Sequence, residues 1–413
     1  MTSTTNTAPE FPDLEQCAAE PIHLPGSIQP HGVLLALDQA ELRILQASRN
    51  AQPLLGIPAE RLLGQGLAEA LDPALAKAVR AALARHRARP DVAASFDWCA
   101  PGNTEAFVAY VHLSDRTLVL ELEASAAPDG DLSEMIAEAM RDFGAIRQEL
   151  DLATKLQAAT GLFRRLTGYD RVMVYRFDED WHGEVIAESL RPDLLPYLGL
   201  HYPASDIPSQ ARHIFSINPY RVILDVDYVP SALYPCANPI SGEPLDLSRG
   251  VLRSVSPVHL AYLRNMGVGS TLTLSLIRDD RLWGLVAFHH EQPHALCVKL
   301  REIASWMAQD LATQIALTEE VADRHYAAHL KDCRDRILFL MRRGARLSEL
   351  LGGPEIANVL GAIGADGVAF IRGEDVVTGG VTPDPRHILD MTAGLSRLHP
   401  NSPSELFATD CLS

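Results

Sequence analysis

Apolar and polar residues alternate along several short stretches in the first third of the chain. Alternation of this kind is typical of strands with one buried face, whereas apolar residues three or four positions apart indicate helices. Both patterns occur here, separated by glycine, proline and charged residues. We predict strands at 33–37, 43–47, 94–98, 106–112 and 117–123, with short helices at 51–55 and 73–85 between them.

From residue 131 the pattern changes to the longer period of an amphipathic helix. Its apolar face consists of Leu132, Met135, Ala139, Phe143, Ile146 and Leu150. Strands and helices alternate after it, and two of the strands form a hairpin across the turn at 278–281. These elements are helices at 152–166, from about 209 and at 258–265, and strands at 171–177, 183–188, 270–277 and 282–289. The chain is therefore predicted to have an α+β fold of mixed sheets and helices.

A long helix is predicted at 295–351, interrupted if at all near Gly344. Apolar residues recur along it at nearly seven-residue intervals, which is typical of a coiled-coil seam between two copies of a chain. A helix packed on its own domain has the same pattern, so both interpretations stay open. After residue 352, two strands and one helix are too little for a further complete domain. The seam is Leu300, Ile303, Met307, Leu311, Ile315, Thr318 and Ala322; the later elements are 367–372, 375–379 and 387–398.

Two proline-rich segments interrupt the regular elements. Pro203 and Pro208 lack an N–H donor and disfavour helix before them, so Asp206 lies on a stiff turn whose carbonyl can face a ligand. The second segment, 225–248, contains four prolines and is predicted to be a long irregular loop. Loops of that length usually have a function. Aromatic and imidazole side chains precede the first turn: Tyr197, His201 and Tyr202.

Length, charge and cysteine content narrow the class of protein. A chain of 413 residues predicts about two to three domains, and a net charge of −17 argues against binding to nucleic acid. No apolar run reaches membrane-spanning length and no signal peptide precedes the fold, so a cytoplasmic protein without membrane contact is expected. The first 13 residues have the composition of a flexible arm. The cysteines lack Cys-x-x-Cys spacing and are expected to be free thiols: Cys17, Cys99, Cys236, Cys297, Cys333 and Cys411.

Three ordered motifs carry a family resemblance. Cys17 precedes Pro-Ile-His-Leu-Pro-Gly-Ser-Ile-Gln-Pro-His-Gly at 21–32, Pro-Ala-Ser-Asp-Ile-Pro occupies 203–208, and Ser-Pro-Val-His follows at 256–259. Together they resemble the bacteriophytochrome photoreceptors. The resemblance implies a flexible arm at 1–16, a PAS domain at 17–125, a bilin-binding GAF domain at 131–320, and a connecting helix with a partial PHY domain at 321–413. It also implies that the segment around Ile28 threads the 225–248 loop, knotting the two domains.

The resemblance implies a covalently bound biliverdin. In this family a cysteine placed like Cys17 forms a thioether to the ring A vinyl group. Plant and cyanobacterial relatives use a cysteine directly after the motif histidine, and Leu260 stands there in this chain. Acidic neighbours of Cys17 raise a thiol pKa, which suits slow addition to a positioned ligand better than turnover. From the sequence alone, an inert thiol is the alternative.

Further site residues follow from the same resemblance. The Asp206 carbonyl and His259, the latter through a shared water, accept hydrogen bonds from the pyrrole nitrogens, and His259 is the expected proton gate. Arg221 and Arg253 bind the two propionates. His289 hydrogen-bonds the ring D carbonyl. Hydroxyl groups that assist the arginines are Ser256, Thr271 and Thr273; residues packing around the pigment are Met173, Tyr175, Tyr197, Tyr202, Ile207 and Tyr262.

Each of these residues also has an ordinary structural interpretation. His259 can be a hydrogen-bonded structural histidine or half of an acid/base dyad with the Asp206 loop, the arginines can form surface ion pairs, and the aromatic residues can be core. His289 and His290 point to opposite faces of a strand, so no shared metal is expected.

The implied function is a red/far-red photoreceptor module without catalytic activity. It is expected to form a homodimer through the helix after Ala295 and to signal to a downstream kinase or other output module. Two alternatives remain at this stage: a light-independent GAF-type sensor of a cyclic nucleotide, and an enzyme with Cys17 as its nucleophile.

Overall fold

The computed structural model describes residues 20–88, 94–100, 106–124, 130–346, 349–350, 353 and 355–398. The flexible arm predicted at 1–16 and Cys17 lie outside these residues. The chain divides into two compact units, Met1–Ala316 and Leu317–Ser413, which are described separately below. None of the helices in the described ranges is both long and apolar enough to cross a membrane.

The N-terminal elements agree closely with the alternating pattern of the sequence, and all five predicted strands are confirmed. Two very short helices and a two-residue strand were not predicted, because they are shorter than one period of either pattern. The elements are β1 (Ser27–Ile28), β2 (Gly32–Asp38), β3 (Ile44–Ser48), α1 (Ala51–Leu55), α2 (Ala59–Leu62), α3 (Leu67–Ala70), α4 (Pro73–Ala88), β4 (Ala94–Cys99), β5 (Ala106–Ser114) and β6 (Thr117–Ala124).

The middle of the chain also contains the predicted helices and strands, together with three short strands that were not predicted. Its first helix ends at Gln148, so Leu150 lies beyond it and is 87% exposed, contrary to the prediction that it belongs to the apolar face. The elements are α5 (Leu132–Gln148), α6 (Leu152–Thr167), β7 (Arg171–Phe177), β8 (Gly183–Leu190), β9 (His201–Tyr202), α7 (Ser209–Ile217), β10 (Tyr220–Ile223), β11 (Ser231–Tyr234), α8 (Pro257–Asn265), β12 (Ser270–Arg278) and β13 (Arg281–His290).

A seven-stranded antiparallel sheet forms the first domain, in the order β1-β11-β3-β2-β6-β5-β4. One face packs on α1 to α4 through leucine and valine side chains. The other face is covered by residues of the 225–254 segment, including Leu233, Leu247 and Leu252. The prediction that 225–248 is entirely irregular is wrong, because β11 lies within it and pairs with both β1 and β3. Partners about 200 residues distant leave no signal in a local pattern.

A six-stranded antiparallel sheet forms the second domain, in the order β10-β12-β13-β7-β8-β9. Side chains alternate between its two faces, as in any strand. Val172 and Val174 belong to the core under the helices, whereas Met173 and Tyr175 belong to a separate cluster with Leu285. The predicted hairpin between β12 and β13 is confirmed, and its turn residues Asp279 and Asp280 have positive φ. The side chains of the second face thus form a cluster that is separate from the core under the helices.

A long helix, α9 (Val298–Arg342), follows the second sheet, and its end close to Gly344 confirms the predicted interruption. Its first part packs in the same core as α5 and α6. For Leu300, Met307, Leu311 and Ile315 the structure supports the second interpretation, a helix packed on its own domain, because these side chains are buried within that domain. An apolar period cannot tell a helix partner in the same chain from one in a second copy.

The segment around Ile28 lies between two parts of the later chain. Ser27 and Ile28 pair with Ala232 and Ser231 on one side. On the other side, the backbone N–H of Gln29 donates to the Leu252 carbonyl over 2.8 Å. The segment thus lies between residues 231–232 of the 225–248 loop and Leu252 just after it, and the knot itself stays a prediction.

The second unit is described by itself. Besides the C-terminal part of α9, it contains α10 (Glu355–Ile363), the antiparallel hairpin of β14 (Gly367–Arg372) and β15 (Asp375–Gly380), and α11 (Pro385–Leu398). Both predicted strands and the last predicted helix are confirmed. The four cysteines within the described ranges are free thiols, as expected: Cys99, Cys236, Cys297 and Cys333.

Candidate functional site

The face of the second sheet opposite the helical core carries a group of aromatic and apolar side chains. Met173 and Tyr175 of β7 are 6% and 7% exposed, and the Tyr175 ring centroid lies 5.9 Å from that of Tyr202. Tyr197 and Ile207 pack against the same cluster. The structure therefore brings together five of the residues that the sequence assigned to one site.

The turn between Pro203 and Pro208 is non-helical, as the prolines predict. The Asp206 N–H donates to the Pro203 carbonyl over 3.0 Å. The Arg212 guanidinium donates to the Ala204 carbonyl over 3.1 Å and to the Ile207 carbonyl over 2.6 Å, which ties the turn to the helix that follows it. Asp206 is thus held on a turn fixed from both sides.

Asp206, Tyr262 and His259 form a chain of contacts between the turn and α8. The Tyr262 hydroxyl donates to Asp206 Oδ2 over 3.5 Å, and the Tyr262 ring stacks on the His259 ring with centroids 6.2 Å apart and planes 13° apart. Burial raises the pKa of the Asp206 carboxyl, while the Tyr262 hydroxyl lowers it. Three predicted site residues are therefore connected by direct contacts.

The His259 side chain is accessible to solvent, yet burial lowers its pKa to about 4, with a smaller contribution from the Arg221 charge. A neutral imidazole at pH 7 has one nitrogen that accepts a hydrogen bond and one that donates.

His289 lies on the same face at the end of β13, opposite Thr271 of β12. Its Nδ1 atom is buried and has no hydrogen-bond partner among the described residues. Burial lowers the pKa of His289 to about 3, assisted by the charges of Arg171 and His259. A buried ring nitrogen without a partner is costly unless a ligand or water satisfies it.

Two arginines lie at one end of this face. Arg221, opposite Thr273 in the β10–β12 register, donates to the Arg253 carbonyl and to the Val251 carbonyl over 3.4 Å. Arg253 donates to the Ile22 carbonyl over 2.7 Å, while its buried Nε has no partner in the described part of the chain. Burial lowers the pKa of Arg221 to about 10 and also lowers that of Arg253, where the Arg221 charge adds to the effect.

Neither of these arginines forms an ion pair with a carboxylate of the described residues, and both donate to backbone carbonyls instead. Two neighbouring guanidinium groups removed from water are unfavourable without an anion, because each loses hydration and the like charges repel. The pair therefore has the chemistry of a carboxylate-binding site.

The hydroxyl groups expected to assist have different surroundings. Ser256 caps α8: its hydroxyl accepts from the Val258 N–H over 3.2 Å and donates to the Glu20 carboxylate over 2.5 Å. Thr271 and Thr273 lie on the site face of β12, the former buried and the latter half-buried. Leu260, the position of the attachment cysteine in other relatives, is 6% exposed in a small apolar cluster.

Sequence reasoning missed an ion pair that supports Tyr197. Arg171 and Glu188 are both 5% exposed and form an ion pair across β7 and β8. The Arg171 guanidinium lies 3.7 Å from the Tyr197 ring centroid, and Glu188 accepts from the backbone N–H groups of Tyr197 and Leu198 over 2.9 and 3.1 Å. An arginine at the start of the otherwise apolar stretch 171–175 is the signal that could have indicated it.

Two family models match the chain. A PAS fold matches residues 17–125 and a GAF domain matches residues 151–318. These matches, with the two sheets and the polar face described above, define the chain as a sensory module of the PAS–GAF class.

Curated and solved relatives specify the family. A bacteriophytochrome of Xanthomonas campestris pv. campestris is 40% identical over 92% of this chain, which spans 59% of that relative. The crystal structure of a bacteriophytochrome from R. palustris has a TM-score of 0.79 and 33% identity, covering 94% of this chain and 80% of that one. The chromophore-binding domain of Stigmatella aurantiaca phytochrome P1 has a TM-score of 0.66 and 40% identity, covering 72% and 98%. The chain belongs to the bacteriophytochrome family.

Proposed function

We propose that the chain is the photosensory module of a red/far-red photoreceptor that holds biliverdin in the GAF domain, with a thioether to Cys17. The supporting observation is the chain of contacts from the Asp206 side chain through Tyr262 to the neutral imidazole of His259. Relatives named bacteriophytochromes, and a relative described as a chromophore-binding domain, support the same function.

The residues on this face fit a linear tetrapyrrole. When bound, the bilin supplies absorption of visible light and a bridge between two pyrrole rings that isomerises. Arg221 and Arg253 have the planar donor groups that match two propionates, and both are partly or wholly buried without a carboxylate partner in the described residues. Thr271 and Thr273 lie on the same face of β12 and add hydroxyl donors. Ser256 can do so if its hydroxyl leaves Glu20.

At the other end of the face, the protein provides polar partners for the pyrrole rings. The Asp206 carbonyl and the neutral His259 accept hydrogen bonds from pyrrole N–H groups and so favour the protonated pigment. His289 has a buried Nδ1 without a partner, which suits a hydrogen bond to a ring carbonyl. Met173, Tyr175, Tyr197, Tyr202 and Ile207 exclude water around that ring.

Attachment requires no oxidant. The Cys17 sulfur forms a bond to one carbon of the ring A vinyl group, the thiol proton ends on the other vinyl carbon, and the carbon–carbon double bond becomes single. Leu260 lacks a thiol, which leaves Cys17 as the family position available in this chain.

We further propose that the module works in the cytoplasm and passes its signal to a histidine kinase or another output module. Self-association would use exposed apolar residues of α9 beyond Ile315, since the earlier positions of the seam are buried in the GAF core. Leu317 and Val321 are each 51% exposed and are available for this.

Biliverdin added to the purified apoprotein tests the proposal. We expect a visible band that shifts from that of free pigment and a coloured protein on a denaturing gel. Cys17→Ala removes the colour from the gel, whereas Cys236→Ala, an exposed free thiol in the same unit, does not. Colour retained in Cys17→Ala would place the tether elsewhere. No pigment binding, together with saturable binding of a cyclic nucleotide, would favour the light-independent sensor instead.

A further inference from the structure

A carboxylate of the PAS sheet contacts the backbone of the GAF domain beside the two site arginines. Glu121 of β6 has no exposed surface. Its two oxygens accept from the N–H groups of Val251 and Leu252, over 2.9 and 2.8 Å respectively. Hydrogen bonds from backbone N–H groups to a buried carboxylate are among the stronger ones in proteins. Glu121 therefore holds the backbone N–H groups of residues 251 and 252 in place.

Backbone carbonyls of the same segment accept hydrogen bonds from a residue of the candidate site. The Arg221 guanidinium donates to the carbonyls of Val251 and Arg253. Between them, the Leu252 carbonyl accepts from the Gln29 N–H over 2.8 Å. Residues 251–253 thus lie between a PAS carboxylate and a GAF guanidinium. A shift of the segment moves Arg253 and displaces the two carbonyls to which Arg221 donates.

Burial raises the pKa of Glu121 to about 7, opposed by the hydrogen bonds from Leu252 and Val251. The ionised form of Glu121 also acts on the arginines. It raises the pKa of Arg221 and of Arg253, opposing the larger lowering by burial. The other charged or titratable groups around Glu121 are Glu123 on the same strand and His112 of β5, whose Nδ1 lies 3.8 Å from Glu121 Oε2. Of these three groups, Glu121 alone is hydrogen-bonded to the 251–253 segment within the described part of the chain.

We propose that Glu121 is a positioning residue for the anion end of the chromophore site, acting through the backbone of residues 251–253 on Arg221 and Arg253. The inference rests on the proposed function, because it assigns the two arginines to the propionates. It means that part of the specificity for a dicarboxylate pigment is supplied by the PAS domain.

Glu121→Gln changes this contact with little change in side-chain volume. One carboxylate oxygen becomes an NH₂ group, which cannot accept from a backbone N–H, and the negative charge is lost. One of the two hydrogen bonds is lost, so the segment moves and the arginine pair no longer matches two propionates. Glu121→Asp keeps the charge but is one methylene too short for both bonds, and provides a second variant should the glutamine variant not fold.

The test compares biliverdin with its dimethyl ester, which lacks the two carboxylates. Affinities are measured by absorbance titration in a Cys17→Ala background, so that both pigments bind reversibly. We expect Glu121→Gln to weaken biliverdin binding by about tenfold, the effect of one charge-assisted hydrogen bond, while ester binding changes by less than about twofold. Glu123→Gln serves as the matched control, because Glu123 is also buried on β6 but pairs with Arg301.

The outcomes distinguish failure of the positioning role of Glu121 from failure of the proposed photoreceptor function. Selective loss of biliverdin affinity in Glu121→Gln or Glu121→Asp, but not in Glu123→Gln, supports the positioning role. Equal loss for both pigments, or no loss for either, overturns it while leaving the photoreceptor proposal intact. Failure of the parent protein to bind either pigment overturns the proposed function itself.

Discussion

The guanidinium of Arg301 and the carboxylate of Glu123 form an ion pair that is almost wholly removed from solvent. The side chains are 0% and 2% exposed, and two hydrogen bonds of 2.9 and 2.5 Å join them. Arg301 lies in the first turns of α9 and Glu123 on β6 of the PAS sheet. The pair therefore attaches the start of the long helix to the N-terminal domain.

Breaking this ion pair on one side should be strongly destabilising. Arg301→Met leaves the Glu123 carboxylate buried with its main partner gone, and we expect a loss of about 3–5 kcal/mol in the free energy of unfolding. Arg301→Met with Glu123→Leu should be less destabilising than the single change, because no buried charge remains. Urea unfolding measures both variants.

An exposed pair in the same helix is the control for that experiment. Arg324 and Glu320 form an ion pair with side chains 73% and 54% exposed. Arg324→Met should cost no more than about 0.5 kcal/mol. Similar losses for Arg301→Met and Arg324→Met would contradict the importance of burial.

A second prediction concerns the close approach of Tyr175 to Gly183 in β8. A methyl group at residue 183 would overlap the Tyr175 ring, which packs between Phe177 and Tyr202. Gly183→Ala should therefore displace the ring and destabilise the domain by about 1–3 kcal/mol. It should also shift the absorption maximum of bound pigment, because Tyr175 lines the proposed pocket.

Gly144→Ala is the control for Gly183→Ala, and we expect it to increase the free energy of unfolding. Gly144 lies within α5, and a methyl group there would meet no atom within 4 Å. Because alanine is the better helix former, this variant should be more stable by up to about 1 kcal/mol and leave the spectrum unchanged. An unaltered spectrum and stability in Gly183→Ala would show that the ring has room to move.

A third prediction is loss of stability in mild acid through His112. This side chain is 1% exposed, both ring nitrogens lack hydrogen-bond partners among the described residues, and burial lowers its pKa from 6.5 to about 3. The unfolded state therefore takes up a proton as the pH falls below 6.5, whereas the folded state does not until about pH 3. Stability from this group is present above pH 6.5 and is lost toward pH 3.

His112→Phe removes this titration. Between pH 6.5 and 5, the parent protein should lose about 2 kcal/mol of unfolding free energy relative to the variant. Thermal melts of both proteins across this range give the comparison. Parallel pH profiles would show that His112 takes up a proton in the folded state as readily as in the unfolded state.

The sequence predicted most strands and helices because their burial follows a local period. The hairpin of β12 and β13 and the strand β7 were found in this way. The strand β11 was not found, since it is four residues long and pairs with β1 and β3, which lie much earlier in the sequence. Local patterns cannot report pairing across about 200 residues.

The burial of charged residues was also not predicted from the sequence. The alternation of leucine and glutamate in β6 normally places the charged residues on a solvent face. Here that face is covered by the 225–254 segment and by α9, so Glu121 and Glu123 are buried. The family resemblance, by contrast, indicated Asp206, His259, His289, Arg221 and Arg253. Their roles stay predictions, and the structure adds that His289 and Arg221 lie on strands of the second sheet. Cys17 lies outside the described residues.

The absorption spectrum of the pigment-loaded chain before and after red illumination tests the central claim most directly. We predict a red band that is shifted from that of free biliverdin, that decreases on red illumination and that recovers in darkness or far-red light. A spectrum equal to that of free biliverdin, unchanged by illumination, would contradict the proposal that this PAS–GAF module senses light through a bilin.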